Sequence, residues 1–292
     1  MQNANAIKGI FKYKKIHKSI MEKILSKNSM QIMQGLQDWF GAYADKYIKE
    51  YGKDQEGNNG YYLKKEHSAN VLKNMEMLGE SIGLNEREML LANAIAILHD
   101  VGRFEQLHRS ALSGKPSFSD KLIDHARLGA EIVQESNALK DFTKLEKSIA
   151  YKAISNHSMY KLPEGLSQKE EMFCKLIRDA DKLDILKVDI ENYEKQKGNP
   201  LLYKDTAGIS DEAFASFMMH KSLSKAATGD EVTLLRLAFI FDLNFKKSFD
   251  VLIKNRYIEK LADRIQDEKK GIIKKEAEEY ANKKLLQNLI RG

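Results

Sequence analysis

The chain is 292 residues long, 42% hydrophobic and 31% charged, with 48 Lys and Arg against 42 Asp and Glu for a net charge of +6. That is the composition of a soluble globular protein of one or two domains with a full core. Cys174 is the single cysteine, which excludes an internal disulfide, and no apolar stretch approaches the length of a membrane span. The basic residues are interleaved with Glu and Asp and read as solvated helix faces, so the charge permits an anionic substrate without requiring nucleic acid.

Proline is scarce, at three, and Leu, Lys, Glu, Ala and Ile dominate, which points to an all-α fold. The start, through Ile20, carries Lys8, Lys12, Lys14, Lys15 and Lys18 and no acid. It lacks the continuous apolar segment of a secretory signal. Cys174 sits in an apolar helical stretch, as a small core residue does, and the expected location is a reducing cytoplasm. Ile16, Ile20, Ile24 and Leu25 recur at helical spacing, continued by Met30, Met33, Leu36, Trp39 and Phe40. The aromatic cluster Trp39, Phe40, Tyr43 and Tyr47 is expected in the core. The polar run 50–60 is a loop and a candidate boundary.

The next helix, about Tyr62 to Ile82, puts His67, Val71, Met75 and Leu78 on one face, so His67 turns inward. Gly83-Leu84 ends it, and Asn85 with Glu88 three residues on starts another. This one carries the apolar run Ala92–Leu98, which stops abruptly on His99-Asp100. Burying an imidazole and a carboxylate without partners costs several kcal/mol. A metal cation is the simplest compensation, because Asp is a hard oxygen donor and neutral imidazole binds most first-row metals. Gly102 suits a tight reversal that brings Arg103 beside the site, with Glu105 close enough to pair with it. A guanidinium there offers paired donors to phosphoryl oxygens.

Leu107 to Ser119 reads as a loop, a lid or substrate-facing segment, with His108 and Arg109 in solvent. Ser119 or Asp120 is expected to cap a helix containing Ile123, Leu128, Ile132 and Val133, on which His125 shares a face with Leu128, Gly129 and Ile132. Thr143 with Glu146 opens a helix that delivers Ile149, Ala153 and His157, and Ser167 with Glu170 opens another through Leu186. On that last helix Asp181 shares a face with Cys174, Ile177 and Ile185, and Arg178 is placed to orient it. Asn199-Pro200 is a break, and Thr228 with Glu231 starts a helix through Leu234, Leu237, Phe241, Leu243 and Phe245. From Glu259 the chain is highly charged, as a solvated terminal helix or a partner surface would be. No site signal falls in residues 187–292.

Several helices thus turn ligand-type residues inward, and one shared metal centre accounts for them together. The order of these residues carries a resemblance. His67, then His99-Asp100, then Asp181 resembles the H…HD…D signature of the HD-domain metal-dependent phosphohydrolases. Leu98-His99-Asp100-Val101-Gly102-Arg103 is similar to the family's HD turn, and Asp124-His125-Ala126-Arg127-Leu128-Gly129-Ala130 to the extra-histidine helix of its two-metal members. Asn156-His157 resembles their next histidine and Ala180-Asp181-Lys182-Leu183-Asp184 the closing A-D-x-x-D; the likeness covers about Leu63 to Leu186. No Gly-Tyr-Pro triplet follows the third histidine, unlike the HD-GYP cyclic dinucleotide phosphodiesterases.

The resemblance implies an all-α HD-domain helical bundle at 61–190, with a helical extension at 1–60 and a second at 191–292 that packs on the core. It implies that His67, His99, Asp100 and Asp181 bind one divalent metal and that His125 and His157 bind a second, with Asp100 bridging. A single metal would leave His125 and His157 to hold phosphate. Four imidazoles favour Fe, Mn, Co, Ni or Zn over Mg or Ca. The implied reaction is attack of metal-bound hydroxide on a phosphoester or phosphoanhydride of a small nucleotide-like substrate. Arg103 would clamp the phosphate, and Asp184 would hydrogen-bond a ligand or the water. An HD-type di-iron oxygenase, or a non-catalytic metal-stabilised binding module, are the alternative readings of the same residues.

Overall fold

The computed structural model describes residues 26–51, 60–112, 123–196, 208–221, 223 and 226–287. The expectations on residues 1–25, 52–59, 113–122 and Asn199-Pro200 lie outside them. Among the described residues every regular element is helical, as the all-α composition requires. The chain divides into two compact units, Met1–Ile177 and Arg178–Gly292, and the division falls inside one long helix, Gln168–Gln196. The sequence-based boundary stood at 190/191.

The first unit contains α1 (Lys27–Tyr51), α2 (Gly60–Ser81), α3 (Glu86–Leu98), α4 (Gly102–Leu112), α5 (His125–Glu135), α6 (Lys144–Asn156) and the start of α7 (Gln168–Gln196). Its centre is α3, buried from Met89 through Leu98 without interruption. A helix that is apolar all round needs cover on every side; α1, α2 and α6 supply it. Asn85 and Glu88 form the expected capping box at its start, a feature that contributes about 1 kcal/mol. Thr143 and Glu146 do the same for α6, and Ser167 and Glu170 exchange backbone-to-side-chain bonds at the start of α7. Arg87 ties α3 to α6 through paired bonds to Glu146, both 2.7 Å. Of the aromatic cluster, Phe40 and Tyr47 are buried as expected while Trp39 and Tyr43 are half-buried at its edge: Phe40, Tyr43, Tyr47 and Tyr61 all lie against the fully buried Phe104, and Trp39 stacks on Tyr43.

Several local expectations are corrected. Leu107 to Leu112 is the second half of α4, not a loop. Glu105 supports this helix by accepting from Arg109 one turn on at 2.7 Å and from the Tyr47 hydroxyl at 2.6 Å, rather than pairing with Arg103. His108 is half-buried, edge-on to Tyr47, while Arg109 is exposed. The cap of α5 is Asp124, accepting from the Ala126 and Arg127 amides, and Ile123 precedes the helix. Gly102 is helical and makes no reversal; it is needed because a Cβ there would stand 2.1 Å from the His125 carbonyl oxygen. The glycine lets the starts of α4 and α5 touch.

The second unit holds the rest of α7, then α8 (Asp211–Met218), α9 (Gly229–Leu237), a 3-10 turn (Ala238–Asp242), α10 (Lys246–Lys254), α11 (Tyr257–Ala262) and α12 (Lys270–Gln287). Thr228 caps α9 as expected, but the helix tightens at Ala238 and breaks before α10 instead of running on through Phe245. No side chain at the N-cap position serves α10. The buried Asp179 does so from α7, accepting from the Asn244 and Phe245 amides and the Ser248 hydroxyl at 2.7–3.0 Å. Arg178 pairs with Asp242. Among its buried residues α12 presents Ile273, Ala277 and Ala281, the inward face of an otherwise charged helix.

Substituting Gly102 by Ala should destabilise the first unit by about 1–3 kcal/mol, because backbone must move to admit the methyl group; urea unfolding measures it. The Arg87 hydrogen bonds hold the Glu146 carboxyl down to about 2 from 4.5. A carboxyl lowered in the folded state contributes fully above the unfolded value and loses that contribution as pH falls through the folded one. Arg87→Met should therefore cost no more than about 1 kcal/mol at neutral pH, after solvent screening. The gap to wild type should close between about pH 4.5 and about pH 2.

Candidate metal centre

Five side chains that the sequence singled out converge in the first unit. Asp100, in the turn between α3 and α4, is 2% exposed. On its Oδ2 side stand Nε2 of His67, at 3.7 Å, and Nε2 of His99, at 3.8 Å. On its Oδ1 side stand Nε2 of His125, at 3.2 Å, and of His157, at 3.8 Å, and these two nitrogens are 3.1 Å apart. All four histidines are buried. The two sets, His67–His99–Asp100 and Asp100–His125–His157, each bring their donor atoms within 4.8 Å of one another. Donors about 2.0–2.1 Å from a common ion stand about 3.0–3.4 Å from each other, so either set needs only small adjustments to hold one.

The local sequence explains the aim of these rings. His99 and His157 are both C-caps, of α3 and α6, and each turns Nδ1 back onto the carbonyl three residues earlier, Ala96 at 2.8 Å and Ile154 at 2.7 Å. A carbonyl only accepts, so Nδ1 carries a proton and Nε2, on the Asp100 side, is the nitrogen left to serve as a metal ligand. The bond also satisfies a carbonyl that the end of the helix leaves over. His125 is the first residue of α5 and His67 lies within α2, on the face of Val71 and Met75.

Burial by itself would raise the Asp100 carboxyl. The charge of Lys64, then His99 and His125, outweighs burial and holds it well below the usual carboxylate range. Lys64 donates to Oδ2 at 2.7 Å. The sequence reading passed over it, although it precedes His67 by one helical turn and so shares its face. Arg103 stands where expected, with Nε 3.6 Å from Oδ1. Its guanidinium is held by the buried Gln106, at 2.7 Å, which is itself anchored on the Ile123 carbonyl. Asp181 and Asp184 lie on α7 within the second unit, the former half-buried and the latter buried.

Residues 65–187 match the family model of the HD domain. The buried His and Asp sets lie in the same segment, so this stretch is an HD domain, a helical fold whose family model suggests the metal-dependent hydrolase superfamily. No curated protein and no solved structure matches the chain.

The donor set fits a first-row divalent ion: imidazole nitrogens, a shared carboxylate and no thiolate. Asp100→Ala should remove divalent uptake from both sets, whereas His157→Ala should leave that of His67–His99–Asp100. Equilibrium dialysis against Mn²⁺ with metal analysis of the retained protein distinguishes these outcomes.

Proposed function

We propose that the HD domain hydrolyses a phosphoester or phosphoanhydride of a small, nucleotide-like substrate. The observation that carries this reading is Arg103, a guanidinium anchored by Gln106 and set 3.6 Å from the carboxylate that both metal-ligand sets share. A structural metal needs no such group beside it. A phosphoryl oxygen does, because guanidinium offers paired donors and never loses its charge.

His67, His99 and Asp100 would hold one ion, and His125 and His157 a second with Asp100 between them. Asp181 closes the first set by its place in the signature, not by any distance. When bound, the metal supplies Lewis acidity: it makes water a nucleophile at neutral pH and offsets phosphoryl charge. The chain's own groups do the rest. The Nδ1 bonds of His99 and His157 keep both rings in the ligating tautomer. Arg103 orients the phosphoryl group and stabilises charge on its oxygens in the transition state. His125 and His157 would bind phosphate directly where one metal alone is loaded. Asp184 is the carboxylate assigned to hydrogen-bond a ligand or the attacking water.

No helix among the described residues is long and apolar enough to cross a membrane, and a single, buried cysteine, Cys174, suits the reducing cytoplasm in which we place the protein.

The test is a phosphoester screen of the purified protein loaded in turn with Mn, Fe, Co, Ni and Zn. Phosphate release is expected with at least one metal. Arg103→Met should lower kcat/KM by about 10²–10³-fold, as loss of one transition-state donor does, and Asp100→Ala should fall to background. Equal release by wild type and Asp100→Ala overturns the reading, and oxygen uptake without phosphate release would replace it with an oxygenase.

A further inference from the structure

Lys64 has no place in the reaction described above, yet it stands closer to the central carboxylate than Arg103 or any of the four histidines. Its Nζ donates to Asp100 Oδ2 at 2.7 Å, with only 18% of the side chain exposed. Oδ2 is the oxygen on which Nε2 of His67 and His99 converge. The opposite oxygen, Oδ1, faces His125, His157 and Arg103. The two halves of Asp100 therefore differ: one has an ammonium in hydrogen-bonding contact, the other a guanidinium at a longer distance.

We infer that Lys64 is a built-in counter-cation for Asp100, one that a divalent ion entering the His67–His99–Asp100 set must displace. The inference rests on the metal-centre reading above. An ammonium and an ion held by that set claim the same oxygen, and two cations a few ångströms apart in a buried site repel strongly. Lysine suits displacement: a point charge on a flexible four-carbon stem, it leaves a carboxylate more easily than a forked guanidinium does. In exchange it keeps a buried carboxylate paired whenever no ion is there, which an unpaired Asp100 would otherwise contribute against the fold. The chain so trades metal affinity at Oδ2 for a site that stays assembled without metal, and the two ion sets should fill unequally.

The experiment compares wild type, Lys64→Met and Lys64→Gln, all stripped with chelator, by calorimetric titration with Mn²⁺ alone and by thermal melting with and without it. Lys65→Met is the control, because Lys65 is the adjacent cation but pairs with Asp45, at 2.6 Å. Both Lys64 variants should bind Mn²⁺ at least about tenfold more tightly than wild type, as removal of an adjacent competing charge predicts. They should melt below wild type when stripped and draw level with it at saturating Mn²⁺. Lys65→Met should change neither. Unchanged or weaker Mn²⁺ binding by the Lys64 variants overturns the inference, and so does equal tightening by Lys65→Met, which would be a general charge effect. A crystal structure of the Mn²⁺-loaded protein with Lys64 still on Oδ2 overturns it too. Wild type that takes up none of the five metals instead overturns the metal-centre reading itself, so the two failures are told apart.

Discussion

A carboxylate with 2% of its surface in contact with solvent stays ionised only if cations or hydrogen-bond donors surround it. Asp100 meets that condition with groups from four helices of the first unit: Lys64 and His67 on α2, Arg103 on α4, His125 on α5 and His157 at the end of α6, besides its own neighbour His99. The rest of the unit serves to keep these groups in place. The unbroken burial of α3 fixes where the chain emerges as His99 and Asp100. Helix α1, with its aromatic row on Phe104, backs the helix that carries Arg103.

The helix ends around Asp100 have a consistent polarity. Helices α3 and α6 arrive by their C-termini, where the partial charge is negative and a cation is favoured. Helices α4 and α5 leave from it by their N-termini, where the partial charge is positive and an anion is favoured. The missing Cβ of Gly102, next to the His125 carbonyl, is what lets those two N-termini lie together. The first pair of ends favours the bound cation, and the start of α5 adds His125 to the metal-ligand set. The second pair of ends, with Arg103 in the first turn of α4, suits an oxyanion, in keeping with the phosphohydrolase reading proposed above.

Much of this was legible in the sequence wherever the interaction is local. The capping boxes at Asn85, Thr143 and Ser167 join residues three apart, and each forms as read. The inward histidines were visible because each falls on an apolar helical face. What the sequence hid depends on distant partners. A lysine on a helix looks solvated, and Lys64 became part of the centre only because its partner stands 36 residues further on. Ser119, Asp120 and Asp124 are all able to cap a helix, and side-chain chemistry alone does not choose among them. Gly102 was rightly marked but for the wrong cause, since close approach to α5 leaves no trace in residues 101–103 themselves.

The acidic stretch 178–184 shows why residue type and spacing run out where they do. Asp179, Asp181 and Asp184 are chemically alike and one turn or less from each other in order along α7. Asp179 is nevertheless committed: a carboxylate has about four acceptor positions, and Asn244, Phe245 and Ser248 take them up in capping α10. Burial still pushes its carboxyl up against those bonds, so it sits at the limit of what amide and hydroxyl donors can offset. Asp100, equally buried, is held down instead, because the groups facing it are charged or able to become so. Two buried aspartates of one chain thus take opposite roles, one a cap and one the heart of a candidate metal centre, and the difference lies in the donors each faces.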